Sequence, residues 1–397
     1  MSTQLAIDGG APVRTTPFHP WPVFGEAEER NLLEVLHSGK WGVLTGTKVT
    51  DFEQKFSAYQ GAKFGICVPN GTLALEMALR AMGIGPGDEV ITTPYTFIAT
   101  ASSILLTGAT PVFADIDPSS YNLAPAQVEG ALSEKTRAII PVHLGGRPAD
   151  MDALLALAKK HNLRLLEDAC QAWGSEWRGR RVGALGDLGA FSFQASKNIT
   201  AGEGGIVVTN DPDLAEKCWS IHNVGRLRGG AWYQHEIVGL NLRLPEWEGA
   251  ILLAQLERLP QQAATREANT RYLQQVLPAE VRGLTPLADD ARVTANSRHL
   301  FIMRYSPQAF GGRSRDEFLR AMVAEGITPI SNGYIPLHQS PAIRRALSAE
   351  ALDRCKLPAA EQAGLDTVWI NQTAFLGSHS DLDSIVEAAR KIQMTWA

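Results

Sequence analysis

The sequence predicts an α/β fold: a mostly parallel, seven-stranded central sheet with helices on both faces, followed by a smaller C-terminal α/β domain. Two observations carry this. Between residues 27 and 260, helical periodicities alternate with short apolar runs bounded by Gly, Pro, Asp or Asn, the pattern of buried strands linked by crossover helices. From about residue 253 it gives way to a long polar-faced helix and then to mixed strands and helices. The strand candidates are 65–68, 89–92, 110–114, 138–141, 164–167, 188–193 and 205–208. Helices are expected at 26–36, ending at Gly39; at 73–82, opening after Asn70, Gly71 and Thr72; and at 151–161, with Asp150 as N-cap. The run LLAQLERLPQQAATREANTRYLQQVL reads as a hinge helix. It divides an N-terminal arm and large domain, residues 1–255, from the hinge helix and small domain, residues 256–397. A strand at 299–305 and helices at 315–325 and 382–394 are expected in the latter.

Composition removes several classes of function. With 397 residues, 45% hydrophobic and 20% charged, the chain is long enough for two domains and is not disordered. A formal net charge of −5 gives no basic field for a polyanion, so nucleic acid is not an expected partner. Four scattered cysteines, Cys67, Cys170, Cys218 and Cys355, form no CxxC pair, which points to buried free thiols in a reducing compartment and a cytoplasmic protein. The proline-rich opening is not a secretory signal, and no run of about 18 apolar residues offers a membrane span. No repeat or low-complexity tract suggests a scaffold.

Motifs for common chemistries are missing: there is no GxxxxGK[ST], HExxH or GxSxG, and no GxGxxG after a strand. In an open α/β sheet, ligands bind at the carboxyl ends of strands, and four polar points lie there. After the first strand, Asn70, Gly71 and Thr72 lead into a helix. This is either a phosphate cradle of helix amides and a hydroxyl, or an ordinary helix start capped by Asn70. Glu167 and Asp168 end another strand, where a carboxylate can cap a helix, hold a metal or pair with a protonated nitrogen. No ligand spacing follows them, so no metal is expected. In FSFQASKNITAGEGG, Lys197 follows an apolar strand and precedes Gly202, Gly204 and Gly205. Most lysines are solvated surface charges, but desolvation here would lower the pKa, as an amine needs to form a Schiff base. Finally, Phe97 in PYTF is a core side chain or a stacking platform. A held phosphate, a paired ring nitrogen, a stacked ring and an amine-bound aldehyde are together the requirements of pyridoxal 5′-phosphate.

The chain resembles the fold-type I pyridoxal-phosphate enzymes of the DegT/StrS group, the sugar and cyclitol aminotransferases, which include the 3-amino-5-hydroxybenzoate synthases. The resemblance covers most of the chain. It rests on GGAPVRTTPFHPWP, FEQKFSAYQGAKFGICVPNGTLAL, GPGDEVITTPYTFIATASSIL, PVFADID, AIIPVHLGGRPADMD, LEDACQAWGS, GDLGAFSFQASKNITAGEGG and GLNLRLPEWEGAILLAQLERL. It implies that Lys197 forms the imine with the cofactor and moves the substrate proton, and that Asp168 pairs with the pyridine nitrogen. Gln171 is placed near the phenolic oxygen and Phe97 on the ring, while Gly71, Thr72 and Ser192 hold the phosphate. Asn241 reaches the phosphate from the other subunit, which implies a homodimer with shared sites. Cys170 departs from the alanine of many members and reads as packing. Lysine at position 197, where the group's dehydratase branch has histidine, argues for transamination.

The implied reaction moves an amino group from L-glutamate or L-glutamine to a keto sugar, nucleotide-linked or not, or to a keto cyclitol. Such chemistry belongs to amino-sugar, aminocyclitol or antibiotic biosynthesis. Substrate contacts are expected from His222, Arg226, Tyr233 and His235 before Asn241, and from Tyr334 and His338 in GYIPLHQSP. The rival readings are an aminodehydratase like the 3-amino-5-hydroxybenzoate synthases and a non-catalytic regulatory homologue.

Overall fold

A computed structural model describes residues 4–396; residues 1–3 and 397, the outer ends of the two expected domains, lie outside the described residues. The seven expected strands form one sheet: Phe64–Val68, Glu89–Thr92, Thr110–Phe113, Thr136–Ile140, Arg164–Asp168, Leu188–Ser192 and Gly205–Thr209. Named by their first residues, they lie in the order 64, 205, 188, 164, 136, 89, 110. Gly205–Thr209 runs antiparallel to both its neighbours, and the other pairs are parallel. All the remaining strands therefore bring their carboxyl ends to one edge.

Two strands shape that edge through the two-residue period of an extended chain. Phe191 and Phe193 point to one face, where they meet Phe52 and Phe56 of the helix Lys48–Tyr59 edge-on, with ring centroids 5.1 to 5.3 Å apart. Ser192, between them, is turned to the other face. Along Arg164–Asp168, Leu165 packs with the Phe52 cluster and Leu166 with the helix Gly71–Ala81. Glu167 and Asp168 thus leave the strand on opposite faces.

The helix expected from about residue 253 begins earlier and is longer, Glu246–Glu280, with Pro260 in its interior. Its first half packs Leu252, Leu253, Leu256 and Leu259 on the large sheet, and its second half packs Leu273 and Leu277 on another core. Its first turn, with Glu246, Glu248 and Gly249, carries no apolar pattern, so periodicity alone places the start too late. That second core surrounds an antiparallel sheet ordered Leu284–Pro286, Leu300–Tyr305, Thr367–Asn371, Ile330–Asn332. The helices Arg315–Ala324 and His379–Trp396 cover it. The 255/256 boundary falls inside the long helix. Leu5, fully buried, packs in the second core with Val13 and Phe18 beside it, so the N-terminal segment crosses to that side. No helix among the described residues is long and apolar enough to cross a membrane.

Phe56 touches both phenylalanines beneath the site edge. Phe56→Ala should destabilise the protein by about 4 kcal/mol, read from the urea midpoint; a loss under about 1 kcal/mol would show that the aromatic cluster does not hold the edge.

Candidate active site

At the carboxyl edge lies a cavity of about 880 Å³, lined by Asn70, Gly71, Thr72, Phe97, Asp168, Gln171, Ser192 and Lys197 among others. All four strand-end points read from the sequence meet there. Asp168 is the last residue of its strand and is buried; its Oδ2 accepts from Thr100 Oγ1 at 2.8 Å and its Oδ1 from the Cys170 N–H at 3.2 Å. These bonds fix the direction of the carboxylate. Glu167, on the other face, accepts from the amides of Gly183, Leu185 and Gly186, each at 2.7 Å, and from His143 Nε2 at 3.0 Å. His143 Nδ1 accepts from the Ala149 N–H, so its proton is on Nε2. Of the adjacent carboxylates, Glu167 is a structural anchor and only Asp168 reaches the cavity.

At the start of the helix Gly71–Ala81 both readings of Asn70 and its neighbours hold. The Asn70 side chain caps the Leu73 amide at 3.0 Å, while the amides of Gly71 and Thr72 lie in the first turn, where the helix supplies no acceptor. A side chain at position 71 would lie 2.8 Å from Ser192 Cβ and 3.0 Å from Cys170 Sγ, so only glycine keeps this corner open. Helix amides, the hydroxyls of Thr72 and Ser192, and a missing Cβ are the donor set and the space that a phosphate needs. Phe97, 57% exposed, presents its ring to the same cavity. In the same cavity the Gln171 side chain is fixed at both ends: Oε1 accepts from the Gly145 N–H at 2.7 Å, and Nε2 donates to Tyr334 Oη at 3.1 Å. Burial pushes the Tyr334 phenol up to about 12, so it stays neutral.

Lys197 sits on a loop tied down at several points. Its N–H donates to the Gln194 carbonyl at 2.9 Å, Thr200 Oγ1 donates to the Phe193 carbonyl at 2.9 Å, and Trp21 Nε1 donates to the Ala195 carbonyl at 2.8 Å. Desolvation lowers the lysine pKa from its ordinary value, opposed by the neighbouring Cys170 and Asp168. The Cys170 thiol is pushed well up by burial and by Asp168, so it remains a neutral packing group.

The remaining candidates lie elsewhere. Of the six expected substrate contacts, only Tyr334 lines the cavity. His222 is buried at the end of the helix Pro212–His222, with Nδ1 2.6 Å from the Trp219 carbonyl; burial lowers its pKa to about 4. Arg226 lies 4.2 Å from the centre of the Trp232 ring, and His235 Nδ1 bonds the Val224 carbonyl at 2.8 Å with Tyr233 edge-on at 5.4 Å. His338 is buried against Glu361 at 3.1 Å. Asn241 is exposed, bridged to Asn223, and outside this cavity. Thr100, His299 and Trp369 also line the cavity but were not singled out from sequence. Thr100 is 68 residues from Asp168 in the chain and has no local signature.

A model of the DegT/DnrJ/EryC1/StrS aminotransferase family matches residues 22–390. The chain belongs to this family. One DegT/DnrJ/EryC1/StrS relative, from Streptoalloteichus tenebrarius, has a name that provisionally gives it L-glutamine:3-amino-2,3-dideoxy-scyllo-inosose aminotransferase activity. It is 40% identical over 99% of this chain and 98% of its own. An L-glutamine:2-deoxy-scyllo-inosose aminotransferase of the same organism is 37% identical over the same shares. The crystal structure of 3-amino-5-hydroxybenzoic acid synthase superimposes with a TM-score of 0.90 at 34% identity, covering 96% of this chain and 99% of that one. Membership makes the protein a pyridoxal-phosphate-dependent aminotransferase, and the cavity has the donors and space for that cofactor.

Two outcomes follow. Gly71→Ala should weaken cofactor binding at least about 10-fold, seen by equilibrium dialysis on protein that still shows a cooperative urea transition; unchanged binding would remove Gly71 from the cradle. For His222, the unfolded chain, with a pKa near 6.5, binds its proton before the folded one does. Stability is therefore full above about pH 6.5 and falls as the pH drops towards 4, by up to about 3 kcal/mol. His222→Asn should flatten that limb of the unfolding profile; an unchanged acid limb would contradict the burial argument.

Proposed function

We propose that the enzyme transfers the α-amino group of L-glutamine, or of L-glutamate, to a keto cyclitol, and that it works as a cytoplasmic homodimer in aminocyclitol biosynthesis. The observation that carries the reading is the pairing, in one cavity, of a desolvated lysine with a carboxylate fixed by two hydrogen bonds. Pyridoxal 5′-phosphate, when bound, supplies an aldehyde that amines condense with and a ring that stabilises an adjacent carbanion. Asp168 would hold a proton on the ring nitrogen and so keep the ring electron-poor. Phe97 would cover one ring face, Gln171 would hydrogen-bond the phenolic oxygen, and Gly71, Thr72 and Ser192 would bind the phosphate. Lys197 binds the cofactor at rest. Once released, its amine would serve as the base for the donor's α-proton and then as the acid that gives a proton back, with the order reversed in the second half-reaction. A lowered pKa suits that task, since the side chain must be base and acid in turn.

The cyclitol acceptor and glutamine donor are supported by the names of the 40% and 37% identical relatives. The dimer is supported by residues 224–240, which expose Trp232 at 73%, Tyr233 at 84% and Val238 fully beside the exposed Asn241. Such apolar exposure on one loop suits an interface. The four free cysteines are in keeping with a reducing compartment. A second reading, aromatising aminodehydration, is favoured by the TM-score of 0.90 against 3-amino-5-hydroxybenzoic acid synthase.

The products decide. With α-¹⁵N-labelled L-glutamine and a keto cyclitol, the purified enzyme should yield a labelled aminocyclitol. Aromatisation of an aminodehydroshikimate-type substrate, with no cyclitol amine formed, would establish the second reading instead. Lys197→Ala should lose the visible absorbance of the bound cofactor and all transfer, and retained function in that variant would support a regulatory homologue. Mixing inactive Lys197→Ala and Asn241→Ala proteins should restore up to about a quarter of wild-type activity through one intact site per mixed dimer; no recovery on mixing would contradict shared sites.

A further inference from the structure

His299 immediately precedes the strand Leu300–Tyr305 and lines the same cavity as Lys197. Its protonation is fixed by a chain of bonds that can run in only one direction. Asn198, next to Lys197 in sequence, places Nδ2 2.7 Å from the Ser297 carbonyl. A carbonyl can only accept, so the amide nitrogen donates there and Oδ1 is turned the other way. That Oδ1 lies 2.9 Å from His299 Nδ1 and can itself only accept. The ring proton is therefore on Nδ1, and Nε2 carries a lone pair. Trp173, fully buried, fixes the ring plane from the side, with centroids 5.6 Å apart and planes at 74°.

The surroundings keep the ring neutral. Burial, with Lys197 and Arg266 as nearby cations, holds the imidazole well below its usual 6.5. Nδ1 is committed to Asn198 and the ring packs against Trp173, so Nε2 is the polar atom left for the cavity.

We infer that His299 is a positioning residue for Lys197: Nε2 accepts one N–H of the lysine amine after its release from the cofactor, aiming the amine's lone pair at the donor carbon. This rests on Lys197 being the proton carrier. A neutral amine has two N–H bonds and one lone pair, and engaging one N–H removes most of its rotational freedom. The imidazole takes no proton in the reaction. It remains an acceptor throughout, and the Asn198 bridge ties its position to the lysine's own loop.

Two variants and three readouts test this. His299→Phe keeps the ring volume and removes the acceptor; His299→Gln supplies an acceptor oxygen. In the cofactor-free protein, ¹⁵N spectra of labelled histidine should show one ring, absent in His299→Phe, as the Nδ1–H tautomer from pH 6 to 9. In holoenzymes of both variants the visible absorbance of the lysine-bound cofactor should persist. The donor half-reaction should slow about 10- to 100-fold in His299→Phe, with a larger isotope effect from α-deuterated L-glutamine, and His299→Gln should recover part of the loss. An Nε2–H or titrating ring, an unchanged rate and isotope effect, or loss of the visible band in both variants would overturn the assignment. Transfer surviving in Lys197→Ala would instead overturn the parent reading of the lysine.

Discussion

The site depends on the alternation of side chains at the ends of two neighbouring strands. Phe191 and Phe193 are locked into the aromatic cluster with Phe52 and Phe56, so Ser192 must face the opposite side of the sheet. The strand beside it obeys the same rule and sends Glu167 into a closed set of donors and Asp168 into the cavity. A one-residue slip in either strand would exchange these faces. The wrong carboxylate would then meet the lysine loop.

The other constraint is electrostatic. The carboxyl edge of the sheet collects groups that are costly to bury, on both its faces, and each is settled differently. Glu167 is satisfied by three amides and His143, Asp168 by a hydroxyl and an amide, while Lys197 is left desolvated. The Glu167 carboxylate is bonded on both oxygens, whereas the proposed reactive group, Lys197, keeps a lowered pKa. That difference separates a lysine that anchors from one that can exchange its proton. His299, neutral and with one ring nitrogen committed to Asn198, belongs with the reactive side of this division.

Much of this was legible in the sequence because the deciding signals are local. Short apolar runs bounded by Gly, Pro, Asp or Asn gave the seven strands, and the strand ends gave Gly71, Thr72, Asp168, Ser192 and Lys197, which the fold brings into one cavity. What escaped the reading is what distant segments supply. Thr100 and His299 reach their partners across 68 and 101 residues, and the Gln171–Tyr334 bond spans 163. Of the histidines, His222 and His338 drew notice through their place in loops and motifs but are buried against other groups. His299, in a plain apolar run, reaches the cavity. The long helix was misjudged in length because its first turn, with Glu246, Glu248 and Gly249, lacks the apolar spacing that marks the rest.

The central claim is that Lys197 carries the cofactor. Borohydride reduction of the holoenzyme, followed by proteolysis and mass spectrometry, tests it without any substitution. The account predicts a single reduced pyridoxyl adduct, on the peptide containing Lys197 and on that side chain. An adduct on any other lysine, or none on an enzyme with its visible absorbance intact before reduction, would contradict it.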